Sequence, residues 1–245
     1  YNFLIIFIKA HNYWFFYPFK KILEIRDIRS AFLSTEQDKN YYSSIPHSDD
    51  KNFEKWLQLN YPKSESRKIE IDFNQKTDVR PFVSIVMPLY KPSIKHLVVC
   101  LESVIGQHFR DWELCIYADG KPKRKVKLLI DTYCKLDPRI KFKIGKVRGH
   151  ISSTTNLALK MAVAKYVALL DQDDFLPPHS IQKVVNYLLE YPETDFLYTD
   201  EAKIDEEQKV SSPFFKPDWS PDYLNSIMYV CHMLVFRKNF LQKLG

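Results

Sequence analysis

Glycine is scarce in this chain. It accounts for 5 of 245 residues, below the roughly 7% of ordinary proteins, so each glycine is expected where the backbone requires one. No internal repeat or low-complexity tract accompanies them. Paired cysteine spacing is missing as well: Cys100, Cys115, Cys134 and Cys231 lie far apart inside periodic segments. That pattern reads as buried reduced thiols rather than a disulfide framework and suits a cytoplasmic protein. The chain also lacks a clean apolar run of the ~20 residues a membrane span requires. Residues 1–19 come nearest, but Lys9, His11 and Asn12 interrupt them and Pro18 closes them. With the aromatics Tyr13 to Tyr17 and the following Lys20-Lys21, they suit a helix in the membrane interface or one packed on the main domain. A peripheral contact with the inner membrane face is therefore an open expectation. No small-residue cleavage site of a secretory signal is seen.

What is present is an ordinary globular composition, 45% hydrophobic and 27% charged, so a folded core is expected rather than disorder. The net charge of +6 fits a solvated basic face, an anionic substrate or a membrane surface. Lys and Arg are scattered and no recognition motif accompanies them, so no nucleic acid is expected as partner. The first residue is Tyr and the chain stops at Leu244-Gly245 after an apolar segment, which reads as a piece of a longer protein. Residues 34–50 read as a loop, Phe53, Trp56 and Leu57 have helical spacing, and residues 60–80 read as a charged linker.

From Pro81 the pattern alternates. Phe82 to Met87 reads as a strand ended by Pro88, and Ser93 caps a helix carrying Ile94, Leu97, Val98, Leu101, Val104 and Ile105. Trp112 to Tyr117 is a second strand, running into Ala118-Asp119-Gly120. Val126, Leu129, Ile130 and Tyr133 mark the next helix, and Arg139 to Ile144 a third strand. Ser152 or Ser153 is expected to cap a helix with Leu157, Ala158, Met161 and Ala162 on its apolar face. Tyr166 to Leu170 is a fourth strand, Pro177-Pro178 opens a further helix, and Asp195 to Tyr198 is a further strand. Strands alternating with helices of this length predict parallel βαβ units wound into one sheet.

The chemistry gathers at strand ends. Asp171-Gln172-Asp173-Asp174 directly follows the fourth strand. Carboxylates crowded there repel one another and call for a cation, at the sheet edge where open α/β folds bind ligands. A solvated turn with a capping Asp is the plainer alternative. Pro88-Leu89-Tyr90 ends the first strand, either as a terminator or as an aromatic able to stack on a base. Asp119-Gly120 ends the second, either as a common turn or as a carboxylate for a base or ribose. Arg148, in the loop from Lys146 to His150, either meets phosphate or is solvated. His232 reads as a satisfied core or edge histidine.

In order and spacing these blocks resemble glycosyltransferase family 2, inverting nucleotide-sugar enzymes of the GT-A fold, from roughly Asn52 to Gly245. Pro81 to Tyr90 resembles the family's first strand and nucleotide loop, and Glu102 to Gln107 the helix end that follows. Trp112 to Ile116 with Asp119-Gly120 resembles its second strand and paired-Asp turn. Gly149, Ile151 and Asn156 are similar to its glycine loop and helix, and Asp171 to Asp174 to its D-x-D-D motif. Tyr198-Thr199-Asp200-Glu201 and Lys216 to Asp222 resemble the branch of bacterial polysaccharide glycosyltransferases, many of rhamnosyl type. The chain departs at Ala118, where the family often has Asp, at Lys91, usually Asn, and near Ala164, usually Gly.

The residues read as an N-terminal, mostly helical and aromatic extension with its linker over 1–80, and the resemblance implies a C-terminally truncated GT-A domain over 81–245, an α/β Rossmann-like sheet with helices on both faces. It implies an Mg2+ or Mn2+ cofactor, a UDP- or dTDP-sugar donor, and a saccharide or lipid-linked acceptor. Asp173 and Asp171 would hold the metal, with Asp171 also near the ribose. Pro88, Leu89, Tyr90, Asp119, Arg148 and Gln172 would meet the nucleotide. The catalytic base is left unassigned and expected beyond Gly245, with Asp200 and Glu201 as candidates inside the chain. Rival readings are a haloacid-dehalogenase-type hydrolase, a nucleotidyltransferase, and a non-catalytic nucleotide-sugar-binding domain. Phe175 stands where the hydrolase needs Thr or Val, and the Lys216 to Asp222 block speaks against the nucleotidyltransferase.

Overall fold

The computed structural model describes residues 3–7, 51–53, 55, 81–146, 148–205 and 210–240. The main sheet has six strands: β2 (Val83–Leu89), β3 (Trp112–Ala118), β4 (Ile140–Ile144), β5 (Tyr166–Leu169), β6 (Phe196–Tyr198) and β9 (Leu234–Arg237). Their spatial order is β4-β3-β2-β5-β9-β6. β2, β3, β4 and β5 run parallel to one another, and β9 runs antiparallel to both β5 and β6. A second sheet, β1-β7-β8, joins β1 (Phe3–Phe7), β7 (Asp200–Ile204) and β8 (Val210–Phe214) in antiparallel pairs.

Strands buried on both faces explain the apolar runs in the sequence. Ile85, Met87, Leu114, Ile116 and Ala168 point into the larger core. There they meet α1 (Ile94–Ile105), α2 (Arg124–Leu136) and α4 (Ser180–Glu190) through residues such as Leu101, Leu129 and Val184. The alternate residues Val86, Cys115 and Val167 face the other way, onto Ala158 and Ala162 at and beyond the end of α3 (His150–Leu159). Period-two alternation thus places helices on both faces of one sheet, as expected.

Several details differ from the sequence reading. Phe3–Phe7, read as part of a helix, is a strand paired along its length with β7. The loop, linker and helical spacing read between residues 8 and 80 lie outside the described residues, except that residues 51–53 and 55 are helical and Phe53 is buried and meets Phe215 edge-on. Helix α3 begins at His150 with Gly149 at its N-cap, so Ser152 and Ser153 sit in its first turn. A Cβ at Gly149 would stand 2.9 Å from Ser153 Oγ, so glycine is what lets the chain enter the helix there. Neither β9 nor the small sheet was anticipated. All four cysteines are free, Cys100 and Cys115 buried and the other two partly so. Among the described residues no helix is long and apolar enough to cross a membrane.

Candidate functional site

The parallel strands β2, β3 and β5 end on the same edge of the sheet, and their loops are tied together. Asp119 N–H donates to Leu89 O (2.8 Å) and Gly145 N–H to Ala118 O (2.8 Å). Gly120 has φ +82, a conformation open to glycine at little cost. The Asp119 carboxylate accepts from Gly149 N–H at 2.6 Å, bringing the loop before α3 against the end of β3. Lys91 (φ +42) and His150 (φ +65) also take left-handed backbone, which strains a side-chain-bearing residue. Both line the cleft that these loops enclose.

That cleft consists of two adjoining cavities. One of about 410 Å³ is lined by Leu89, Tyr90, Asp119, Gly120 and Arg148, with Lys91, Lys121 and Lys123 at its basic side. The other, of about 290 Å³, shares Leu89, Tyr90, Asp119 and Arg148 and continues to Pro88, Asp171, Gln172 and Asp173. Every residue expected at the nucleotide and metal therefore lines one continuous cleft. The Tyr90 ring carries the Arg148 guanidinium at 4.6 Å and Lys91 Nζ at 5.3 Å from its centroid. The cleft is cationic at one end and acidic at the other.

The strand that leads to the acidic turn is anchored at its start. Ser84 Oγ donates to buried Glu113 Oε1 (2.5 Å), Val163 N–H donates to the same oxygen (2.6 Å), and Lys141 Nζ pairs with Oε2. Ala164 N–H donates to Ser84 Oγ (3.0 Å). These bonds fix where the chain enters β5, at the place where the family's usual glycine is absent. Burial alone would raise the Glu113 pKa, but the bonds from Lys141, Ser84 and Val163 outweigh it and hold the carboxyl below its ordinary value. Past the turn, Gln107 Nε2 donates to Leu176 O (3.1 Å) and Pro177 O (2.8 Å), while its Oε1 accepts from Ile181 N–H (3.0 Å). Gln107 is fully buried, so one side chain fixes the exit of the motif and the start of α4.

Within the motif the residues part company. Asp173 is exposed, Asp171 half-buried and Asp174 buried at 6% exposure. Gln172 turns back to β2: its Oε1 accepts from Tyr90 N–H (2.9 Å) and its Nε2 donates to Tyr90 O (2.9 Å). Asp171 Oδ2 lies 3.0 Å from His232 Nε2. The β5–β9 register explains the meeting. Leu169 pairs with Leu234, and two further steps set Asp171 opposite His232. Asp171, Asp174 and His232 each place one ligand atom within 4.8 Å of the others. Burial, opposed by His232 and reinforced by Asp171 and Asp173, pushes the Asp174 carboxyl up to about 7. Burial pulls His232 down, but its bond to Asp171 and the charges of Asp174 and Glu201 raise it overall.

Asp200 and Glu201 lie on β7, outside the lining of the cleft, and both are engaged. Asp200 Oδ1 accepts from Lys216 N–H (2.7 Å). Glu201 Oε2 accepts from His232 N–H (2.6 Å) and from Lys216 Nζ (2.8 Å), while Lys216 Nζ also donates to His232 O (3.0 Å). The buried Glu201–Lys216 pair thereby grips the main chain of His232 on both sides. Burial lowers the Lys216 pKa, and the Glu201 contact opposes that shift. His232, which the sequence offers only as a core or edge histidine, thus stands beside Asp171 at the acidic turn. No local signal could have found it, because its place depends on β9.

Comparison with known proteins comes to the same family. The family model described as glycosyl transferase family 2 matches residues 84–245. An uncharacterized protein of Sinorhizobium fredii is 36% identical over 165 residues, covering 67% of this chain and 18% of its own length. The O-antigen biosynthesis protein RfbC of Myxococcus xanthus is 35% identical over 166 residues, covering 68% and 13%. A chondroitin synthase of Escherichia coli is 33% identical over 153 residues, covering 62% and 22%. The chain therefore spans between 13% and 22% of the length of these relatives. Among solved structures, Staphylococcus aureus TarS 1-349 in complex with UDP aligns with TM-score 0.53 at 18% identity, over 66% of this chain and 48% of that one. The mannosyltransferase PcManGT from Pyrobaculum calidifontis, in complex with GDP-Man and Mn2+, aligns with TM-score 0.51 at 15% identity, over 71% and 51%. The fold is that of GT-A glycosyltransferases.

Proposed function

The chain belongs to glycosyl transferase family 2, and on that footing we propose that it is the donor-binding part of a metal-dependent, inverting glycosyltransferase. It moves a hexosyl or rhamnosyl-type sugar from a UDP- or dTDP-sugar to a saccharide or lipid-linked acceptor, in cell-surface polysaccharide synthesis. The observation that carries this reading is the single cleft lined by Tyr90, Asp119, Arg148, Asp171, Gln172 and Asp173. Names such as O-antigen biosynthesis protein and chondroitin synthase among the relatives support the polysaccharide setting. The same proposal divides the chain at residue 80 and places it in the cytoplasm, with a peripheral contact at the membrane.

Each residue then has a task. The partly exposed Tyr90 ring offers a stacking face for the base, and Asp119 fixes the loop that borders it. Arg148 stands over that ring, where its guanidinium reaches for phosphate oxygens. A divalent cation fits the acidic end, because the Asp174 Oδ2 is buried without a hydrogen-bond partner among the described residues. Asp173 and Asp171 would hold it. When bound, Mg2+ or Mn2+ supplies neutralising charge for a diphosphate leaving group. Asp200 and Glu201 already serve Lys216 and His232. The base that takes the acceptor's proton is left unassigned.

Titrating UDP and dTDP against wild type and Asp173→Ala, with and without Mn2+, tests the reading. Mn2+ should tighten nucleotide binding to the wild type, and the substitution should abolish that gain. Binding that ignores both the metal and the substitution would sink the site assignment.

A further inference from the structure

We propose that His232 and Asp174 are ligands of the same divalent cation as Asp171, and that the imidazole makes the site favour Mn2+ over Mg2+. This rests on the metal-dependent reading above and extends it to residues outside the D-x-D pair.

The β5–β9 register sets Asp171 opposite His232, with Oδ2 and Nε2 3.0 Å apart. Two ligands each about 2.1 Å from one ion stand about 3 Å apart when they are neighbours in its coordination shell. Asp174 adds a third ligand atom to a group whose members lie within 4.8 Å of one another. Its side chain supplies an independent reason to expect a cation. Asp174 is 6% exposed, and its Oδ2 has no hydrogen-bond partner among the described residues. A buried carboxylate oxygen left in that condition is costly unless a positive charge faces it.

The imidazole is also held in place from behind. His232 N–H donates to Glu201 and His232 O accepts from Lys216 Nζ, so the main chain is fixed on both sides of the ring. Metal-binding histidines depend on such outer support for their orientation. Asp173, by contrast, stands exposed at the apex of the turn and open to the cleft. Joined by Asp173, the donor set is three carboxylates and one nitrogen on the protein side. Mg2+ takes oxygen ligands and keeps much of its water, whereas first-row transition ions accept an imidazole nitrogen.

Pulsed electron paramagnetic resonance of Mn2+ bound to the protein with UDP reads directly coordinated nitrogen. The wild type should show imidazole-nitrogen modulation. His232→Ala should lose it and bind Mn2+ at least about tenfold more weakly, with a smaller change for Mg2+. His150→Ala should keep the modulation, although His150 lines the same cleft. If His232→Ala does not fold, His232→Gln provides the same comparison, and the wild-type spectrum stands by itself. Mn2+ bound without nitrogen modulation overturns the histidine assignment and leaves the metal-dependent function intact. Modulation that survives in the His232 variants also overturns it. Failure of the wild type to bind Mn2+ at all overturns the metal reading and this ligand set together.

Discussion

The side-chain amide of Gln172 closes on the main chain of Tyr90 in both directions, accepting its N–H and donating to its carbonyl, each at 2.9 Å. The two residues are 82 positions apart in sequence. The amide bridges the two chains beyond the last β2–β5 pair, Val86 with Leu169, and so joins the Tyr90 side of the cleft to its acidic side. On the proposed reading, Gln172 would act on a bound nucleotide through Tyr90. Replacing it with Ala frees the Tyr90 loop, and two hydrogen bonds of about 1 kcal/mol each set the scale. We expect Gln172→Ala to weaken metal-free UDP binding by about 5- to 20-fold. Calorimetry on a variant with a wild-type unfolding curve checks this, and an unchanged Kd would show that the clasp has no bearing on the site.

Glu113 gives the fold a defined acid sensitivity. Burial acts to raise its pKa, but the bonds from Lys141, Ser84 and Val163 prevail, so the folded-state value lies below the ordinary glutamate value. A carboxyl depressed on folding contributes stability that is fully present above its unfolded pKa. That stability is lost as pH falls through the folded pKa. Urea unfolding between neutral pH and pH 3 should therefore show a stability loss in wild type that is shallower in Glu113→Gln. The variant should be the less stable of the two at neutral pH. Parallel pH profiles for the two proteins would contradict this account.

How much of this was legible in the sequence depends on whether a contact is local or sequential. β2, β3, β4 and β5 could be read because each is an apolar run or, in β4, an apolar–polar alternation followed by a helix with its own period, and parallel βαβ winding then fixes where their ends lie. Tyr90, Asp119 and Asp171 converge for that reason alone. His232 could not be placed in this way. Its strand, Leu234–Arg237, is four residues long and is inserted antiparallel between β5 and β6, a pairing that no local period announces. Asp200 and Glu201 looked like candidates for a base because they follow a strand. Their partners Lys216 and His232 come from distant segments, and only the folded chain shows those carboxylates already in use. Gln172 was legible as part of the acidic turn, but its attachment to the Tyr90 main chain depends on side-chain direction beyond the end of a ladder.

The Glu201–Lys216 pair makes the last prediction, because it supports His232 from both sides. The Lys216 side chain is 1% exposed and that of Glu201 17%, so neither charge is well solvated. Removing one member of a buried pair leaves the other uncompensated, at a cost of about 3–5 kcal/mol. Lys216→Met should therefore lower stability by about 3 kcal/mol in chemical denaturation. Adding Glu201→Gln to it should restore a substantial part of that loss, since the stranded carboxylate is gone. The two changes should part company at the site. Stability recovers in the double variant, but the cation that fixed His232 O and the carboxylate that fixed its N–H are both missing, so Mn2+ affinity should stay below wild type. Denaturation and Mn2+ titration on the same set of proteins separate these effects. Full recovery of Mn2+ binding along with stability would mean that the pair supports the fold and not the histidine.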